Sequence, residues 1–196
     1  MKKNILQYTL LTGLAMLTVA LARLMPHPFN FTPVAALALY GGARGKNTAF
    51  SFLLPLLVMV FSDILVMTFL YPDNGNAFAY FGTKDALGVY LAFGVVVCIG
   101  LFLKKNVTIP TVIVASLASS FLFYAITNFF SWLGSPFYTQ DFAGLVTCYT
   151  AGIPFYNNEV TGSFFLNQFA GDLFFSGVLF GVHALVARTA RNTAHA

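Results

Sequence analysis

Charged residues in this chain fall in short clusters, and the apolar stretches between them are close to the length that crosses a bilayer. A helix needs roughly 20 consecutive apolar residues to traverse the hydrocarbon core. No water is available there to satisfy an open backbone, so successive stretches of this kind read as a bundle of membrane helices. Composition agrees: of 196 residues, 58% are hydrophobic and 8% charged. A soluble domain carries about a quarter charged residues, so this chain cannot cover a water-facing surface. Twenty-three Phe add bulk suited to lipid contact and to helix packing. The net charge of +4 does not point to nucleic acid, because the charges sit between the apolar runs.

The spacing predicts spans over residues 5–25, 29–43, 47–71, 85–103, 107–132 and 162–187 of a single domain, 1–196. The second is the shortest. Its apolar part runs only from Pro33 to Gly42, and the three prolines in residues 23–33 exclude a helix throughout the preceding segment. Residues 142–155 form a mildly apolar run too short to span, expected to be interfacial or re-entrant.

Basic residues set the orientation. With a cytoplasmic N-terminus, Lys2, Lys3, Arg44, Lys46, Lys104, Lys105, Arg188 and Arg191 fall inside, leaving Arg23 and Lys84 outside. Asp73, Asp85, Asp141 and Glu159 also fall outside. This asymmetry requires the short second span to cross. The expected fold is therefore an all-α membrane protein of six helices in one bundle, both termini cytoplasmic, in a bacterial inner membrane. Met1-Lys-Lys, the apolar run and Ala20-Leu-Ala22 also resemble a cleavable signal peptide. The run exceeds a usual signal h-region and continues into Arg23, which favours a retained helix.

Ionisable and amide side chains inside hydrocarbon need a partner, a cavity or a function. Asp63, Asn128, Gln168 and Asp172, with Arg23, His27 and Asn30 of the first outer connection, all belong to the outer half. On the last helix Gln168, Asp172, Ser176 and His183 fall within about 80° of arc. Gly177, Gly181 and Ala184 lie opposite as a patch permitting close backbone approach. Ser116, Ser120, Thr127 and Ser131 share a second stripe with Asn128 at its edge. Two polar stripes facing one interior predict an outward-opening pocket. The competing reading is structural: Asp63 pairs with Arg23 to tie helices together, and the hydroxyls bond their own backbone.

Cys98 and Cys148 are the only cysteines, and no CxxC or paired His appears. A disulfide framework or zinc site is therefore not expected. Cys148 packs in the outer segment or, with His27, serves as a soft ligand to a metal-containing substrate. No P-loop, HExxH or GxSxG occurs, so the chain is not expected to be an ATPase, a hydrolase or any other enzyme, and it implies no cofactor. An intramembrane enzyme would have only Cys148 with His27 as a nucleophile–base pair. No inverted repeat with matching broken helices is present, which argues against a conventional secondary carrier.

Residues 23–43, RLMPHPFNFTPVAALALYGGA, resemble the signature of an uncharacterised bacterial membrane family. Ser62-Asp63, Thr127-Asn128-Phe129, Cys148-Tyr149, Ile153-Pro154-Phe155 and Gly171-Asp172-Leu173 carry the same resemblance. That family is similar in size and layout to the substrate-binding (S) components of energy-coupling factor (ECF) transporters. The resemblance implies a pocket open to the outside for a vitamin or metal-containing micronutrient, and partnership with a T component and two ATPases. The first helix carries Gly13, Ala15, Ala20 and Ala22 in place of the Ala-x-x-x-Ala pattern typical of S components. A solitary protein of this kind, working without the ATPases, is the variant form; cobalamin would give Cys148 or His27 a role as cobalt ligand. The expected partners are the lipid bilayer and a small-molecule substrate, with Arg23, His27, Asn30, Asp63, Asn128, Gln168 and Asp172 as candidate site residues. The rival is a membrane scaffold or complex subunit whose buried polar groups only hold helices together.

Overall fold

The computed structural model describes residues 13–14, 16–18, 20–25, 28, 30–45, 47–72, 77–153 and 164–194. Described residues between Gly13 and Leu21 are helical and lead into a 3-10 turn, Ala22–Leu24. Among the described residues seven helices follow: α1 Val34–Arg44, α2 Thr48–Phe69, α3 Ala77–Phe81, α4 Lys84–Leu103, α5 Ile109–Trp132, α6 Phe142–Gly152 and α7 Phe164–Ala194. No strand occurs among the described residues.

Local chemistry sets where the helices begin. The Asn47 side chain accepts from the Phe50 N–H at 2.8 Å, and Thr83 accepts from Ala86 at 3.1 Å. Thr108 and Thr111 form a reciprocal capping box ahead of α5, with Pro110 in the first turn. Each cap satisfies backbone donors that a helix leaves open at its start. Asp141 caps α6, accepting from the Gly144 N–H at 2.7 Å and the Thr139 hydroxyl at 2.8 Å. These donors hold its carboxyl below the usual carboxylate range. The cap therefore stabilises α6 above that range and is lost only as pH falls through the lowered value.

Among the described residues four helices are long and apolar enough to cross a membrane: α2, α4, α5 and the Phe165–Thr189 part of α7. Their outer faces are greasy at helical spacing. Leu53, Leu57 and Phe61 line one side of α2, 46–64% exposed, and Leu87, Leu91 and Val95 line α4 in the same i, i+4 pattern. The interior is a mainly apolar core that also encloses the polar groups Ser51, Ser62, Asp63, Ser116, Ser119, Ser120, Gln168, Asp172 and Ser176. An apolar face toward lipid, with polar side chains kept inside the bundle, is the arrangement a lipid solvent selects.

The segment expected to span over 29–43 is built differently. Only α1 is helical there; its 11 residues rise about 16 Å, roughly half a hydrocarbon core. It has no lipid-facing side, since every residue from Val34 to Ala43 is buried. It packs against α2, α4, α5 and α7 at once. Small side chains permit this. A Cβ added at Gly42 would meet the Val97 carbonyl oxygen at 2.3 Å, and one at Gly100 would meet the Leu39 oxygen at 2.3 Å. Pro55 inside α2 seats against Gly41 in the same way. α6, also 11 residues and too short to span, occupies most of the apolar run over 142–155.

The patch of Gly177, Gly181 and Ala184 does not bring another described helix close. Nothing lies within 4 Å of an added Cβ at either glycine. With Val112, Ile113 and Phe180 they line an open apolar groove of about 470 Å³ between α5 and α7.

The two ends of the bundle are tied by lysines. Lys84 Nζ donates to the Leu133 carbonyl at 2.5 Å, joining the start of α4 to the end of α5. At the other end Lys104 Nζ donates to the Gly45 carbonyl at 2.5 Å, joining the end of α4 to the end of α1. α1, α4 and α7 thus begin at the Lys84 end, where α2 and α5 finish.

Candidate functional site

A cavity of about 230 Å³ opens in the Lys84 half of the bundle. One wall is the non-helical approach to α1. Asn30 adopts a left-handed backbone (φ 60°), a conformation Asn tolerates better than most residues. The Phe31 N–H bonds the Pro28 carbonyl at 3.0 Å, and the Thr32 N–H bonds the Asn30 carbonyl at 2.9 Å. These bonds turn the chain into α1 and place Asn30 and Thr32 on the cavity. The Phe31 ring holds the turn against Phe174 and Phe175 of α7, with centroids 5.8 and 5.5 Å away. An added Cβ at Gly171 would sit 3.2 Å from the Phe31 backbone, so α7 approaches this turn closely.

That approach brings Asp172, 2% exposed, to the start of α1. Its Oδ2 accepts from the Ser120 hydroxyl at 2.7 Å. The Ala36 backbone N–H, one of the donors left open in a first helical turn, lies close to it. A carboxylate at a helix N-terminus is favoured by the helix dipole as well as by the N–H groups. Gln168, one turn earlier on α7, donates Nε2 to the Ser120 carbonyl at 3.2 Å. α5 supplies the facing wall. Asn128 Nδ2 donates to the Tyr124 carbonyl at 2.9 Å, and the Thr127 hydroxyl to the Phe123 carbonyl at 2.8 Å. The Tyr124 hydroxyl donates to the Tyr149 carbonyl of α6, and the Tyr149 hydroxyl returns to Ala125 at 2.5 Å. Val34, Val89 and Phe123 give the cavity its apolar side.

Asn30, Asn128, Gln168 and Asp172 therefore meet in one hollow. Arg23 and Asp63 do not line it. Arg23 Nη1 donates to Asp63 Oδ1 at 2.6 Å and to Ser62 Oγ at 2.7 Å, and the Tyr90 hydroxyl donates to Asp63 Oδ2 at 2.8 Å. This network closes on itself and ties the 3-10 turn to α2 and α4. Tyr80 of α3 lies near it; burial and then the Asp63 charge push its hydroxyl up to about 12. His27 lies outside the described residues. Cys148 does not line the cavity, and its thiol points to the Asn128 carbonyl at 3.6 Å. Among the described residues no three His, Cys, Asp or Glu side chains are grouped to hold a metal ion.

The polar stripe expected along α7 divides by depth. Gln168 and Asp172 reach the cavity. Ser176 meets Ser116 at 3.4 Å, and His183 Nδ1 sits 2.9 Å from the Tyr40 hydroxyl, both as helix packing. Three contributors escaped the sequence reading: Tyr124, Thr32 and the α1 backbone. Tyr124 lies one turn below Asn128 and thus on the same face, a signal the sequence did carry. A main-chain N–H has no signature in residue type.

Fold and site together define a multi-pass helical membrane protein with a polar pocket inside its bundle. The chain belongs to the family of unknown function DUF6580, which matches residues 3–194. No curated protein and no solved structure matches it.

Proposed function

We propose that this protein captures a small polar micronutrient from outside a bacterial inner membrane and releases it inward by a conformational change energised elsewhere. The observation that carries this reading is the hollow of about 230 Å³ in which Asn30, Asn128, Gln168 and Asp172 converge. Hydrogen bonds to neighbouring protein groups would serve a structural role, but such a role gives no reason to gather these side chains around a space. Charge supports the outward direction. Arg44, Lys104, Lys105 and Arg188 cluster at the end away from the cavity, the cytoplasmic end by the positive-inside rule. The half-length α1, entered through non-helical chain, also supports it. Transporters place broken helices at their binding sites because irregular backbone in a membrane must be buried in protein or line a cavity. In this reading α1 and its approach make the second of six crossings.

In this reading the chain works as an ECF S component does, partnered by a T component and ATPases or working alone. The cavity has room for about eight waters, which suits a ligand of similar size rather than a macrocycle such as a cobalamin. The rival scaffold reading is favoured only for the Arg23–Asp63 network, whose members satisfy one another.

Accessibility tests the direction. In a background with Cys98 and Cys148 replaced by Ala, Thr127→Cys should react with a membrane-impermeant maleimide added outside intact cells. Reaction only from the cytoplasmic face of inverted vesicles would reverse the orientation and remove the uptake reading.

A further inference from the structure

On the α5 and α7 walls of the cavity the donor groups are turned to protein acceptors. Tyr124 and Thr127 direct their O–H groups to main-chain carbonyls, and Ser120 directs its own to Asp172. Asn128 and Gln168 each turn the NH₂ to a main-chain carbonyl, at 2.9 and 3.2 Å. A carbonyl neighbour sets that orientation, because an amide oxygen facing it would repel. On those two walls the amide oxygens, the Thr127 lone pairs and the Asp172 carboxylate are therefore left to a ligand, while Asn30 and Thr32 add a side-chain amide and a hydroxyl on the α1 side. No Lys, Arg or His lines the cavity among the described residues. The positive end of α1, which in other settings attracts anions, already faces Asp172 through Ala36.

We infer that the ligand is a small protonated amine, its ammonium group paired with Asp172 and donating to the Asn128 and Gln168 side-chain oxygens. This inference rests on the capture function proposed above and adds the charge class of what is captured. An ammonium presents donors and no acceptor, the complement of the α5 and α7 walls, and it neutralises a carboxylate otherwise buried without a cation. Phe123, Val34 and Val89 offer the carbon skeleton an apolar face. An anionic ligand would bring a second negative charge against Asp172. A bare metal ion requires oxygens at about 2.0–2.6 Å on several sides, a much tighter cage than a 230 Å³ hollow.

The test is mass spectrometry, in positive and negative modes, of small molecules released by denaturing the gently solubilised full-length chain, against a mock purification. Three variants accompany the wild type. Asp172→Asn removes the charge. Thr32→Lys tethers an ammonium at the rim without touching the Asp172 contacts, and its melting temperature reports folding. Thr127→Trp fills the hollow. The expected result is one enriched compound with a basic nitrogen, reduced roughly 10- to 100-fold in Asp172→Asn and lost in a folded Thr32→Lys. An enriched anionic or uncharged compound, displaced by Thr127→Trp, would overturn the amine assignment while leaving capture intact. No enriched compound, together with no melting shift from 1,4-diaminobutane, ethanolamine, choline or glutarate, would overturn both.

Discussion

Arg23→Met should destabilise the protein by about 3–5 kcal/mol, more than replacement of any other exposed or half-exposed charge. Asp63 is 1% exposed, and its two oxygens accept from Arg23 and Tyr90. Taking away the guanidinium leaves a carboxylate in the bundle with one phenol for company. The reverse change, Asp63→Asn, should cost less, about 1–3 kcal/mol, because the Arg23 side chain is 14% exposed and can turn toward water. The double variant Arg23→Met/Asp63→Leu should recover most of the loss, since an apolar pair removes the buried charge along with its partner. Melting in detergent, followed for the four proteins of this cycle, checks the coupling. Equal losses in the single and double variants would mean that the pair does not hold the 3-10 turn to α2. None of these changes should alter ligand retention, because neither residue reaches the cavity.

The second large effect is steric. Gly42→Ala and Gly100→Ala should each cost about 3 kcal/mol, because the added methyl would sit 2.3 Å from a backbone oxygen of the facing helix. Main chain cannot swing aside as a side-chain tip can, so α1 and α4 must separate along a shared interface. Gly177→Ala and Gly181→Ala are the internal controls. Space around them is open, and replacing a helix-interior glycine gains about 0.5–1 kcal/mol in propensity. The same thermal measurement should therefore lower the melting temperature for the first pair and leave or raise it for the second. Similar losses at all four positions would show that another surface covers the α5–α7 groove.

The long helices were legible because hydrocarbon reads length. The apolar run expected over 47–71 is α2, Thr48–Phe69, and the run over 107–132 is α5, Ile109–Trp132, each begun by a polar cap visible in the sequence. α1 was harder. Its run of Ala, Leu and Gly is apolar enough for lipid, yet its small residues fit it to a central position among four helices, and hydropathy cannot separate the two. The site was half legible for a related reason. Sequence position gives depth along a helix but only a relative angle around it. Asp63 and Asp172 share the same half of the bundle; Tyr90 and Arg23 claim one, while Ser120 and the start of α1 leave the other beside a hollow. Depth suggested one cluster where azimuth made two.

Everything functional follows from the hollow beside Asp172, so the decisive measurement is an experimental density map of the full-length protein, purified gently into lipid nanodiscs. Non-protein density is expected between Asp172 and Asn128, in contact with the carboxylate and bounded by the turn at Asn30. Asn128 and Gln168 closed directly onto each other, with side chains filling the space beside a sealed Asp172, would contradict it.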